Sequence, residues 1–366
     1  MIKVAIDVGP LHGPMTGVGR AVEGMTTGLG RHRDAVEISP YVVSYRADLL
    51  AGTRRLPYPA GLAIKFWSHF DFPLVDRHLP EAQIVHGMNY VVPPTRRPRV
   101  VTVYDCWAIL NPQQCPPVIN HAMKALRRSI TTGAVVHASS QSTADIILEL
   151  FPTARIEMIH LGAPSHRAVA GDELRPAALA DLSTAPFIVA IGTAERRKNY
   201  PILLAAFAAI ARSLPEIHLV IAGAPGDDTP KLQQLVADFP AEIKNRIRVI
   251  GRVSDDNIAW LHQHATVMAY PSLDEGFGFP LLEAMSVQLP IVASTRGSIP
   301  EVAGDAALLV DALDVDALAR ALSTAVSDSS VRNDMRAAAI KQHQLFSWEK
   351  TTVKLLDLYA DLVIHA

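Results

Sequence analysis

Along this chain, short runs of aliphatic and β-branched residues alternate with stretches whose apolar positions recur every three or four residues. Runs of the first kind at Val4–Asp7, Ile38–Val43, Ile84–His86, Val100–Val103, Val135–Ser139 and Glu157–His160 predict strands in the first half. Phe187–Ile191, His218–Ala222, Arg246–Ile250, Val267–Tyr270, Ile291–Ala293 and Ala307–Val310 predict strands in the second. Helical periodicity lies between them, for example over Gly19–Gly30, His121–Thr132 and Thr143–Phe151. Buried strands followed by helices are the pattern of a parallel sheet covered on both faces. Twelve such strands exceed one ordinary doubly wound domain, so an α/β chain of two doubly wound domains is expected. The expected division is residues 1–165 and 166–348, with a hinge in the Gly-, Pro- and Ala-rich stretch Gly162–Pro186.

Composition agrees with two globular cores. The chain has 366 residues, 49% of them hydrophobic and 19% charged. Cys106 and Cys115 suit neither a disulfide framework nor a paired-cysteine metal site, which implies a reducing compartment and a cytoplasmic location. The N-terminal MIKVAIDVGP reads as a strand rather than a secretory signal. No apolar run approaches the roughly 18–20 residues a membrane span needs. The net charge of −2 divides unevenly, with 16 Lys and Arg against 12 Asp and Glu over residues 1–165, and 18 against 24 over 166–366. A basic first half suits an anionic partner such as a phospholipid surface, met peripherally, or a lipid-diphosphate acceptor. Ordinary charge scatter explains the imbalance equally well, and no nucleic-acid partner is expected.

Ligands of doubly wound sheets sit beyond the carboxyl ends of the strands, so chemistry is sought in the loops that follow them. The strongest segment is Pro271–Met285, after the strand ending at Tyr270. Gly276 and Gly278 permit a tight turn and close backbone approach, Phe277 lies between them, and Pro280 suits the first turn of a helix. The start of that helix is a site for a diphosphate. Glu275 and, eight residues on, Glu283 are poor phosphate ligands but good acceptors for sugar hydroxyls. A second loop, Gly192–Asn199, sets Arg196, Arg197 and Lys198 in a row beside Gly192. Three cations there could clamp a pyrophosphate without a metal, although a lone basic triplet is more often a solvated turn.

The segment EGFGFPLLEAM resembles the E-x7-E motif of the retaining family 4 glycosyltransferases, and Leu289–Ser294 with Gly297–Val302 extend the likeness. The resemblance implies the GT-B fold, two Rossmann-like domains facing a central cleft, with acceptor bound by the first and nucleotide-sugar by the second. It implies that Glu275 contacts the donor sugar, Glu283 the nucleotide ribose, and Lys198 the donor diphosphate. Many members carry an Arg after the Gly of that loop; here Thr193 stands there, and either Arg196 or Arg197 replaces its charge. Gly17 and Gly19 match the glycine loop that lies against the donor phosphates when the domains close. Where many members have His-Asp, this chain has Tyr104-Asp105, so the imidazole is absent and Asp105 retains the carboxylate. His86 and Tyr104 are both expected to face the cleft. Ser139-Ser140 are expected to cap a helix. A helix over about 349–366 is expected to cross back onto the first domain.

The reaction implied is metal-independent hexosyl transfer with retention, by front-face substitution, with Glu275, Lys198 and Asp105 as the catalytic candidates. GDP-mannose is the favoured donor, no further cofactor is needed, and the acceptor is a glycan or lipid-linked intermediate of surface polysaccharide. The competing readings are a nucleotide-sugar epimerase using Asp105 with His86, and an inactive sugar-nucleotide-binding regulator. A nicotinamide oxidoreductase fits less well, because the glycine loop is irregular and no acidic ribose ligand follows about 20 residues on. On the acceptor side, the aromatic segment Lys65–Pro73 and the cationic face Lys124, Arg127 and Arg128 are candidates for membrane or lipid contact, against a packed corner and a solvated face.

Overall fold

The computed structural model describes residues 1–45, 47–164, 171–182 and 185–365. Residues 165–170 and 183–184 of the expected hinge therefore lie outside the described residues. The chain divides into two compact units, Met1–Gly162 with Phe346–Ala366, and Ala163–Leu345.

The first unit is built on a seven-stranded parallel sheet. In chain order its strands are β1 (Ile2–Asp7), β2 (Val36–Val43), β3 (Arg54–Leu56), β4 (Ile84–Gly87), β5 (Arg99–Val103), β6 (Val135–Ala138) and β7 (Ile156–Met158). Their spatial order is β3-β2-β1-β4-β5-β6-β7. β3 escaped the hydrophobic pattern because it is a three-residue edge strand, Arg-Arg-Leu, in which only Leu56 is buried. The last strand sits one residue earlier than the pattern suggests, with Ile156, Glu157 and Met158 paired to Val136, His137 and Ala138. Tyr41, Leu56, Val85, Val101, Leu126, Val136 and Ile147 lie in the core.

The C-terminal helix Trp348–Ile364 belongs to this unit. It packs against the helix Gly17–Leu29, whose glycines make room for it. A Cβ on Gly24 would fall inside the Trp348 indole, and one on Gly28 would meet Thr352 Oγ1.

The second unit holds a six-stranded parallel sheet of β8 (Phe187–Ile191), β9 (His218–Ala222), β10 (Ile247–Gly251), β11 (Val267–Tyr270), β12 (Ile291–Ser294) and β13 (Ala307–Val310). The order is β10-β9-β8-β11-β12-β13. Relative to the chain this is the doubly wound order 3-2-1-4-5-6, in which the direction of winding reverses between β8 and β11. At that switch point the loops leaving the two strands part to opposite faces and open a crevice at their carboxyl ends. Those two loops are the ones that carry the candidate chemistry. The core beneath them contains Ile188, Leu203, Phe207, Leu219, Val267 and Leu322.

Candidate active site

The loop after β8 turns through a short 3-10 segment, Arg196–Lys198, before the helix Tyr200–Ile210. The loop after β11 runs from Pro271 to Gly278 and enters the helix Phe279–Ser286. Gly278 precedes that helix at φ 91°, a left-handed conformation that glycine adopts without the cost of a Cβ. Pro280 occupies the second helical position, where no intrahelical N–H donor is required.

Backbone and side chains sew the two loops together. Leu273 N–H donates to Arg197 O at 2.8 Å. Asn199, itself left-handed at φ 56°, donates from Nδ2 to Pro271 O at 3.1 Å and to Ala312 O at 2.7 Å. From β12 and its following turn, Ser294 Oγ donates to Ser272 O at 2.6 Å, and both N–H and Oγ of Ser298 donate to Glu275 O at 2.9 Å. Gly297 lies so close to this loop that a Cβ would stand 2.5 Å from Glu275 O and from Asp274 Oδ1.

Held this way, Glu275 meets two cations. Lys198 Nζ donates to Oε1 at 2.6 Å and Arg197 Nη1 to Oε2 at 2.6 Å. Arg197 Nη1 also reaches Asp274 O at 3.1 Å, and Lys198 Nζ lies 3.4 Å from the Tyr270 hydroxyl. Glu275 and Lys198 are both buried. Burial pushes the Glu275 carboxyl up, but the charges of Lys198 and Arg197 and the Lys198 hydrogen bond outweigh it and hold the group at about 2. Glu275 is therefore an ionised acceptor at neutral pH and has no proton to give. Burial and the nearby Glu275 charge keep Tyr270 a neutral phenol.

The three basic residues of the loop divide in role. Lys198 and Arg197 face Glu275, whereas the Arg196 side chain is exposed and its backbone N–H is held by Asp227 Oδ1 at 3.2 Å. Gly192 begins the loop; its carbonyl accepts from the Tyr200 hydroxyl at 2.9 Å, and a Cβ there would press on Lys198 Cε at 2.8 Å. Glu283 is buried in the helix Phe279–Ser286, and Gly276 and Phe277 are buried in the loop before it.

In the first unit, Gly17 opens the helix Gly17–Leu29, and Gly19 N–H donates to its capping residue through Thr16 Oγ1 at 3.1 Å. Asp105 is partly exposed after β5, with Oδ1 accepting from Trp107 N–H at 3.0 Å. Ser140 caps the helix Gln141–Leu150, and Ser139 Oγ donates to Tyr104 O.

Two expectations require correction. His86 is fully buried, between the Tyr359 hydroxyl at 2.6 Å and Thr102 Oγ1 at 2.8 Å, and burial with the neighbouring His137 holds it well below the ordinary imidazole range. A strand-ending position predicts access, but here the C-terminal helix covers it through Tyr359. Tyr104 likewise turns inward, where its hydroxyl donates to Met88 O at 2.7 Å. The pairing of His86 with Asp105 as exposed acid and base loses its histidine. Asn199, Gly297 and Ser298, which position Glu275 and its partners, carry no chemical signature of their own. Only the left-handed demand at Asn199 and the small size at 297 and 298 hint at them.

Residues 173–342 match the family described as glycosyl transferases group 1. Across 98% of the chain and 99% of the relative, the sequence is 29% identical to an O-antigen chain mannosyltransferase B of Escherichia coli. The fold is that of a sucrose-phosphate synthase from Thermosynechococcus elongatus, at TM-score 0.75 and 18% identity with both chains wholly covered. It is equally that of WaaG, a glycosyltransferase involved in lipopolysaccharide biosynthesis, at TM-score 0.70 and 16% identity over 98% of this chain and 99% of that one. These neighbours are GT-B proteins, and the two parallel-sheet domains share their architecture.

Proposed function

We propose, from the match of residues 173–342 to the group 1 glycosyltransferases and the full-length similarity to an O-antigen mannosyltransferase, that the chain is a glycosyltransferase that moves mannose from GDP-mannose, with retention and without a metal, to a glycan or lipid-linked acceptor of surface polysaccharide. The observation that carries the reading is the Lys198–Glu275–Arg197 group at the β8/β11 switch point, with Lys198 and Glu275 buried. The full-length similarity to an O-antigen mannosyltransferase supports the choice of sugar and of pathway class.

In this proposal the donor diphosphate lies against Lys198 and Arg197 and beside Gly192, at the positive end of the helix Phe279–Ser286. Glu283 binds the ribose. Glu275, whose carboxylate has roughly four lone-pair sites and meets one cation on each oxygen, accepts from hydroxyls of the donor sugar. As the bond to the diphosphate breaks, negative charge grows on the leaving oxygen next to Lys198 and Arg197, and positive charge grows on the sugar beside the Glu275 carboxylate. The acceptor hydroxyl attacks from the face the diphosphate leaves and passes its proton to the departing phosphate oxygen. Retention follows without a covalent intermediate. Gly17 and Gly19 serve the donor phosphates and Asp105 the acceptor, which is bound by the first unit.

A thermal-shift comparison of GDP, UDP and dTDP is the first test, since a ligand bound only by the folded chain raises its melting temperature. GDP is expected to act most strongly; a larger effect of UDP or dTDP corrects the donor, and no effect of any of them removes the reading. Release of GDP from GDP-mannose that persists in excess EDTA, together with an α-linked product by NMR, tests metal independence and retention.

A further inference from the structure

A second feature stands apart from the reaction just proposed and does not depend on it. The short helix Ala60–Trp67 turns Ala63 and Trp67 into the core and packs on the helix Pro117–Thr131. Its opposite face carries Leu62 and Phe66, 53% and 47% exposed, and the following turn adds Phe70 and Phe72 at 58% and 68%. Isolated apolar side chains on a surface are ordinary, but four within eleven residues form a shelf of the kind that marks an interaction surface. The rings of Phe66 and Phe70 lie side by side, tilted at 43° with centroids 6.3 Å apart.

Cations border the shelf. Lys65 is exposed between Leu62 and Phe66. Beyond Phe72 opens a cavity of about 320 Å³ lined by Phe72, Pro73, Leu74, Asp76, Arg77 and Arg96. The acidic residues of the segment are already engaged. Asp71 accepts two bonds from Arg128, at 2.7 and 3.2 Å. Asp76 accepts from Thr95 Oγ1 and from Arg96 N–H, with Arg97 Nε 3.9 Å away. Lys65, Arg77 and Arg96 are thus the surplus charge beside an exposed aromatic shelf, and Phe72 belongs to both features.

We propose that this surface is a membrane-docking site, in which Leu62, Phe66, Phe70 and Phe72 enter the headgroup layer of an anionic bilayer while Arg77 and Arg96 hold a lipid phosphate in the cavity. The chemistry matches on both counts. Exposed Leu and Phe with adjacent Lys and Arg is the pattern of an interfacial element, and each cation near an anionic surface adds to the attraction. Guanidinium groups suit a phosphate better than any neutral headgroup atom does.

The full chain is sedimented with vesicles of phosphatidylcholine alone and of phosphatidylcholine with phosphatidylglycerol, without any nucleotide-sugar. Binding is expected to the mixed vesicles only and to weaken with salt, because exposed charges are screened. Phe70→Ser/Phe72→Ser is expected to abolish it. Arg77→Gln and Arg96→Gln are each expected to weaken it roughly 5-fold. All four residues are exposed or line an open cavity, and an unchanged melting temperature confirms that the variants fold. The proposal is overturned if mixed vesicles do not bind, or if binding survives the Phe pair. It is also overturned if inorganic phosphate raises the melting temperature through Arg77 and Arg96 while vesicles have no effect, or if light scattering shows the Phe pair breaking a dimer instead. Nucleotide-sugar turnover in detergent-free buffer with a soluble acceptor reports separately on the reaction.

Discussion

Replacing Glu275 by alanine removes the buried carboxylate from a group of three charges and leaves the buried Lys198 and the partly buried Arg197 without it. The magnitude follows from the structure. An ordinary glutamate near 4.5 is held at about 2 here, which corresponds to roughly 3 kcal/mol favouring the charged form in the folded chain. For a carboxyl lowered on folding, that contribution is complete above about pH 4.5 and is lost as the pH falls towards 2. Deletion of one partner of a buried pair costs about 3–5 kcal/mol, because the remaining charge keeps its burial without its partner. Lys198 retains only the Tyr270 hydroxyl at 3.4 Å and its ring at 5.0 Å. For a domain of this size the melting temperature should fall by roughly 6–20 °C, with transfer abolished. Scanning calorimetry at neutral pH measures it, and repeating the scan with GDP sharpens it. A diphosphate can replace the missing carboxylate, so GDP should raise the melting temperature of Glu275→Ala more than that of the parent. A variant that melts with the parent, or one that still transfers sugar, would refute the argument.

Three other outcomes are expected. Lys198→Met and Arg197→Gln should each lower the rate of nucleoside diphosphate release by about 100-fold or more, the range for losing one preorganised donor to a leaving oxyanion, whereas Arg196→Gln should change it little; equal losses at all three positions would contradict the division of roles. Gly297→Ala should destabilise the second unit by roughly 2–4 kcal/mol in urea unfolding, from a Cβ at φ 55° and its contact with Glu275 O, and should slow transfer by moving Glu275. In the first unit, burial holds His137 at about 4 and, with His137 nearby, keeps His86 well below its usual value, so the unfolded chain takes up protons that the folded chain refuses. Stability should therefore decline as pH drops from about 6.5 towards 4, by about 1.4 kcal/mol per pH unit for each histidine, and urea midpoints in His137→Gln should show a shallower slope.

The strand pattern was legible because parallel strands buried on both faces are mostly apolar and β-branched, in short runs set between longer stretches of helical period. Among the described residues, twelve of the thirteen strands coincide with such runs, the fully buried Phe187–Ile191, Val267–Tyr270 and Ile291–Ser294 most plainly. Arg54–Leu56 does not, since an edge strand with one buried residue leaves no run to see. Candidate chemistry was legible where residue type and position coincide: an acidic residue before a glycine turn at Glu275, a row of cations after a strand at Arg196–Lys198. The sequence also displayed the aromatic segment Lys65–Pro73, without saying which of its rings would be inside.

What needed the tertiary structure was every decision about direction and partnership. Strand order alone sets β8 beside β11, and so brings Lys198 to Glu275 across a separation of 77 residues. The choice between Arg196 and Arg197 depends on which way a 3-10 turn points them, and that turn is fastened by Asn199 and by Leu273, not by the arginines themselves. His86 shows the same limit from the other side. Its position at the end of a strand suggests access, yet Tyr359, brought from the far end of the chain, closes over it. Periodicity records which residues must leave water, because burial is a local demand repeated along each element. It does not record which distant residue meets them there, because that depends on how the elements are ordered and packed.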